Sequence, residues 1–142
     1  MSSATSPLNK GPEWRVAIIL LSLQLAYIAL WLVAISSVLL GDADIRILDI
    51  DISNAVRVAD PLVIVAVYLV GAALAVGLYM AMRRSRWTLL PVMLAYLTHV
   101  SLWVLNTSNP YYKGEGGYGM IIVEVIVIAM LVSAMTRHRK TT

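Results

Sequence analysis

Residues 61–82 read PLVIVAVYLVGAALAVGLYMAM, without one charged side chain, between Asp60 on one side and Arg83, Arg84 and Arg86 on the other. A run of this length matches the roughly 20 apolar residues that a helix needs to cross about 30 Å of hydrocarbon. Asp60-Pro61 is a helix start, because Asp caps free N–H groups and Pro at the first helical position loses nothing. The strict alternation of a barrel strand is missing. A helix also satisfies its own backbone polar groups, as lipid requires.

Working outward, three further apolar runs cover 16–40, 88–105 and 118–136. The first exceeds the span of a bilayer, so it can tilt or extend beyond it. It is also much longer than the core of a signal peptide, and reads as an uncleaved first span. The 142-residue chain is 60% hydrophobic and 13% charged, against about 25% charged in ordinary soluble domains. The expected fold is an all-α membrane protein, a four-helix transmembrane bundle with helices at about 16–40, 61–82, 87–106 and 118–136. These form one domain over 14–137. Residues 1–13, polar with Ser, Pro and Gly, are expected to be a disordered cytoplasmic tail, and 138–142 a basic one.

Lys and Arg set the expected orientation. Lys10, Arg15, Arg83, Arg84, Arg86, Arg137, Arg139 and Lys140 fall at the two ends and between the second and third spans; only Arg46, Arg57 and Lys113 fall in the other two connections. The N- and C-termini are therefore expected in the cytoplasm, in a multi-pass protein of the bacterial inner membrane. The net charge of +3 reflects helix-end residues suited to anionic lipid headgroups, not to nucleic acid. Trp14 and Trp87 mark cytoplasmic helix starts, and Trp31 and Trp103 lie toward the opposite interface, as anchoring aromatics do.

Loop 41–60 holds all five aspartates, Asp42, Asp44, Asp49, Asp51 and Asp60. Residues 45–52 alternate apolar and polar with a break at Ile47-Leu48, which predicts one or two short strands with a bulge or tight turn. Asp42, Asp44, Asp49 and Asp51 could offer oxygens to a hard cation, but they make no complete ligand set, and no metal is expected. The glycine-rich, aromatic stretch 111–119 reads as a mobile loop on the outer surface, without the spacing of a phosphate loop. Cysteine is absent, which removes disulfides, thiolate chemistry and iron–sulfur ligation. Haem held by two histidines of one chain is also unsupported, since His138 lies in the tail far from His99. No cofactor is expected.

The second span carries Ala73, Gly77 and Ala81 at four-residue spacing, with Gly71 and Ala75 on a nearby line; such small residues let another helix approach closely. A faint internal repeat relates Gln24, Tyr27 and Trp31 to Tyr96, His99 and Trp103, each triplet at i, i+3, i+7 on one helix face. Two spans end alike, in Ala81-Met82 and Ala134-Met135 before basic residues, so two similar hairpins are indicated.

Ionisable residues inside a span are costly and mark sites by default. His99 and Glu124 are such residues, each about 10 Å below the outer boundary at 1.5 Å per residue. They can meet if the third and fourth spans are neighbours, which their short connection favours. Their pairing serves either helix register or a protonatable site. The candidate binding or transport residues are Glu124, His99, Gln24, Tyr27, Tyr96 and Trp103. No nucleophile–base–acid set is visible, so the expected protein is non-enzymatic. The leading expectation is a small subunit or homo-oligomer that acts by association with other membrane chains or copies of itself, in the lipid bilayer. The alternatives are a proton- or cation-coupled transporter using Glu124 and His99, and a lipid- or quinone-binding protein with an outer-face pocket near Trp31, Trp103 and His99.

Overall fold

A computed structural model describes residues 11–41, 43–47, 50–112 and 115–139, without the side chains of 115–117, 138 and 139. The chain-end tails (1–10 and 140–142), Asp42, Asp49 and Lys113 lie outside the described residues. In chain order the elements are α1 (Pro12–Gly41), β1 (Arg46–Ile47), β2 (Ile50–Asp51), α2 (Ile52–Arg57), α3 (Pro61–Met82), α4 (Leu89–Asn106) and α5 (Glu115–Arg139). The four long helices are each long and apolar enough to cross a membrane. They expose large apolar side chains around the bundle, Leu30, Leu62, Leu97 and Ile122 being 62–75% exposed. Lipid is the solvent that tolerates this surface.

α1 packs on α3 and α5, and α4 packs on the same two, so α1 and α4 stand diagonally across a four-cornered bundle. Each neighbour in the ring runs antiparallel, the arrangement that short connections impose. One end of the bundle carries the β1–β2 hairpin, α2 and the α4–α5 connection. The other carries Arg83, Arg84 and Arg86. These are called the hairpin end and the arginine end.

α1 starts at Pro12, inside the segment read as a tail: Pro at the first position and Glu13 in the first turn are both favourable there. At 30 residues it is about 45 Å long, more than the hydrocarbon thickness. α5 likewise extends past 118–136 in both directions, and takes up Glu115–Gly119 of the glycine-rich stretch. A helix closes backbone hydrogen bonds that an irregular loop at the membrane boundary would leave open.

Trp14 departs from the anchoring role expected of it. It is 3% exposed, and its indole N–H donates to the Ala81 carbonyl at 3.0 Å. A buried indole needs such an acceptor, and this one ties the start of α1 to the end of α3. Arg137 pairs with Glu13 at 2.6 Å nearby. Trp87 is exposed, with the Arg86 guanidinium over its ring, as an interface residue would be.

The α3–α4 turn closes α3 by two backbone bonds, Arg84 N–H to the Ala81 carbonyl and Ser85 N–H to the Met80 carbonyl. This helix-ending motif requires a left-handed residue, normally Gly; here Arg84 takes it, with φ 55°.

The small residues of α3 divide. Gly71, Ala73, Gly77 and Ala81 are buried, whereas Ala75 is exposed and takes no part in packing within the chain. A Cβ at Gly71 would meet Leu32 Cδ1 of α1 at 2.7 Å, and one at Gly77 would meet Val92 Cγ2 of α4 at 2.8 Å. The stripe therefore serves contacts inside one chain, with α1 on one side and α4 on the other. Leu32 is flexible at its tip, but Val92 is β-branched and stiff, with Pro91 and the Val92 backbone behind it.

At the hairpin end Arg46 pairs with Asp51 and Ile47 with Ile50, an antiparallel two-strand ladder. It agrees with the expected short strands. α2 follows directly and was not anticipated. Its N-cap is Asp51, whose carboxylate accepts from Asn54 N at 3.0 Å. That bond, with help from the Asn54 side chain and Arg46, holds the Asp51 carboxyl below the usual carboxylate range. Ile52 and Val56, one turn apart on α2, bury against Ala34, Ile35 and Val38 of α1. Ser53 locks the approach: its hydroxyl accepts from Ile45 N and donates to the Ala43 carbonyl.

These contacts predict unequal effects at the two buried glycines. Gly77→Ala should lower stability by about 1–3 kcal/mol through overpacking. Gly71→Ala should change it by less than about 0.5 kcal/mol, since Leu32 can rotate and Ala favours the helix. Thermal unfolding of the purified protein in detergent compares them; equal losses would contradict the packing described.

Candidate functional site

The site begins with the adjacency of α4 and α5. Glu124 of α5 is 5% exposed, in a helix otherwise apolar on that face. An ionised carboxylate left alone there would be very unfavourable. α4 supplies the partner: His99 Nδ1 lies 2.5 Å from Glu124 Oε1. The other carboxyl oxygen, Oε2, is buried and has no partner among the described residues.

One turn from His99 on the same α4 face, the Tyr96 hydroxyl donates to Gln24 Oε1 of α1 at 2.7 Å. Both are almost fully buried. Gln24 Nε2 is a second buried polar atom without a described partner. A polar layer thus crosses the bundle from α1 through α4 to α5. On its arginine-end side the interior is apolar, filled by Leu21, Leu74, Val92 and Leu131.

On its hairpin-end side lies a cavity of about 120 Å³. The cavity is about half open to its surroundings; a closed apolar cavity of about 150 Å³ holds a benzene ring, so the volume is on the scale of one ring. Tyr27 and Trp31 of α1 and Trp103 of α4 line it. Two edge-on contacts set these rings, Tyr27 with Trp31 at 6.2 Å and Trp103 with Tyr118 at 4.7 Å between centroids. Such contacts add modest rigidity to large apolar groups. α2 provides the cover through Ile52, Ala55 and Val56. Asn109 fastens that cover, its amide donating to the Ala55 carbonyl at 3.1 Å.

His99 is the one member of the polar layer that reaches the cavity wall; Glu124, Tyr96 and Gln24 stand behind it. Nδ1 faces Glu124, and Nε2 has no hydrogen-bond partner among the described residues. Other polar groups at the wall are Asn106, Asn109 and Tyr112. Burial pushes the Tyr112 phenol up, and Tyr27 adds to the effect, so it stays neutral. The arrangement is a mostly apolar chamber with one imidazole backed by a carboxyl group, the composition of a small-molecule site.

The six candidate residues converge. Gln24 bonds Tyr96, His99 pairs with Glu124, and Tyr27, His99 and Trp103 share the cavity. The two repeat-like triplets lie on diagonal helices and face each other. Asn109, Tyr112 and the α2 residues were not singled out. For α2 a signal existed: an Asp cap at 51 followed by Ile52 and Val56 at i, i+4. Among the described residues no group of three or more His, Asp or Glu could hold a metal. Asp51 and Asp60 instead cap α2 and α3, Asp44 is exposed, and Asp42 and Asp49 lie outside the described residues.

No protein-family model, curated protein or solved structure matches the chain.

The pairing predicts a non-additive mutant cycle. His99→Leu or Glu124→Leu alone strands a buried polar group and should cost about 1–3 kcal/mol. The double variant should cost about 1–2 kcal/mol less than the sum of the two single losses. Unfolding equilibria in detergent measure it; additive losses would contradict the pair.

Proposed function

We propose that this small integral membrane protein binds a lipophilic, ring-bearing small molecule, of the lipid or quinone class, in the hairpin-end cavity. The observation that carries this reading is the position of His99: its ring sits at the wall of an aromatic-lined, one-ring-sized cavity, with Glu124 behind it. Apolar walls supply affinity, and few convergent polar groups supply orientation. Under the positive-inside reading of the basic residues, the cavity lies at outer-leaflet depth, where a lipophilic molecule partitions.

Two other readings draw less support. Proton- or cation-coupled transport needs polar groups on both sides of the site. Toward the arginine end the described interior is largely apolar, with Leu21, Leu74, Val92 and Leu131, and the buried Thr88 hydroxyl is already bonded to the Ser85 carbonyl. Association with other chains would draw on the small residues of α3, yet Gly71 and Gly77 are taken up by α1 and α4 of the same chain.

Titration of an alkyl benzoquinone into the purified protein in nanodiscs, followed by tryptophan fluorescence, tests the binding. Trp31 and Trp103 should be quenched saturably. Ala59→Phe, which fills the cavity from its wall, should weaken this by at least about tenfold. Linear, unsaturable quenching identical in the two proteins would remove the proposal.

A further inference from the structure

The polar layer fixes more than the presence of a site: it fixes which hydrogen-bonding character the site offers. Within the four spans, His99 and Glu124 are the sole ionisable side chains apart from tyrosines. They are also in direct contact, 15% and 6% exposed. Three protonation states of the pair need weighing. With neither group holding a proton beyond the single imidazole N–H, the pair carries a net negative charge. With both groups fully protonated, it carries a net positive one. Either leaves an uncompensated charge in a low-dielectric interior, the most costly outcome for buried ionisable groups. The third state has no net charge.

That neutral state has two arrangements in which the shared proton lies between Nδ1 and Oε1. A carboxylate accepts from an imidazolium through Nδ1–H, or a carboxylic acid donates to Nδ1 of a neutral imidazole. In the first, Nε2 carries its hydrogen because the imidazolium is protonated at both nitrogens. In the second it carries the hydrogen because Nδ1 is the acceptor. Nε2 is therefore a donor in both, wherever the shared proton rests. A third arrangement, with the acid proton on Glu124 Oε2 and Nδ1–H donating to Oε1, would bury an O–H without an acceptor, since Oε2 has no partner among the described residues.

We infer that the cavity selects the hydrogen-bond acceptor form of a flat ring, a quinone carbonyl in preference to the corresponding hydroquinone, through Nε2–H of His99. The inference rests on the proposed binding function and names its ligand class. The size of the cavity and its aromatic wall suit a single ring. The ester carbonyl of a membrane lipid has the same acceptor chemistry, so the test must separate the two.

Three probes of one shape are titrated into the protein in nanodiscs: an alkyl-1,4-benzoquinone, its hydroquinone under reducing conditions, and the matching alkylbenzene. The quinone should bind about tenfold or more tighter than either of the others. His99→Leu should equalise the three. The infrared carbonyl stretch of the bound quinone should shift to lower wavenumber in the native protein and not in His99→Leu. This last comparison needs only folded native protein if the variant fails to fold, with free quinone in lipid as the reference. Quinone binding should be equal in ester-linked and ether-linked lipid.

Absence of saturable binding by all three probes would remove the cavity function itself. Equal binding of the three, or tighter binding of the hydroquinone, would leave the cavity function standing and overturn the inference. Quinone affinity rising about tenfold in ether lipid would identify a lipid ester as the occupant and overturn the assignment to a ring.

Discussion

Hydrocarbon tolerates a carboxyl group poorly, and this chain places one in its last span. Glu124 has to meet a partner inside the bundle. His99 is the only side chain of matching chemistry within the spans. Their contact requires α4 and α5 to be neighbours, with these two faces turned toward each other. The rest of the bundle is consistent with that constraint. α1 and α3 close the ring, Gly71 and Gly77 let α3 approach its two neighbours, and Trp14 and Glu13 secure the arginine end.

The same pair divides the interior. On one side the core is packed aliphatic side chains. On the other the helices spread around a cavity that α2 and the hairpin cover. The cover is held by local chemistry rather than by a large core. Asp51 caps α2, Ser53 bonds two backbone groups, and Asn109 reaches across from the α4–α5 connection. A cavity on the scale of one ring under a small, hydrogen-bonded cover, with one imidazole at its wall, suits the lipophilic ligand proposed for it.

Much of this is legible in the sequence, for identifiable reasons. Four charge-free runs specify the long helices, because lipid leaves so few alternatives. The meeting of His99 and Glu124 follows from equal depth and a short connection. The register of Gln24 with Tyr96 does not. The triplets at 24–31 and 96–103 announce two faces, but that these faces oppose each other across a diagonal depends on packing of all four helices. Trp14 illustrates the limit: at a helix start near basic residues it reads as an anchor, and only the position of the Ala81 carbonyl makes it a core residue. α2 was hidden by its length, since six residues carry too little periodicity to stand out. Its burial against Ala34, Ile35 and Val38 is a tertiary fact.

The proposed recognition depends on His99, at the cavity wall, forming one net-neutral unit with Glu124 behind it. Nitrogen-15 spectroscopy of labelled protein in bilayers near neutral pH reads this directly, with His138→Asn removing the only other histidine signal. In a net-neutral pair Nε2 of His99 should be protonated and Nδ1 should share its proton with Glu124. A bare Nε2 lone pair, or a His99 spectrum unchanged in Glu124→Gln, would contradict it.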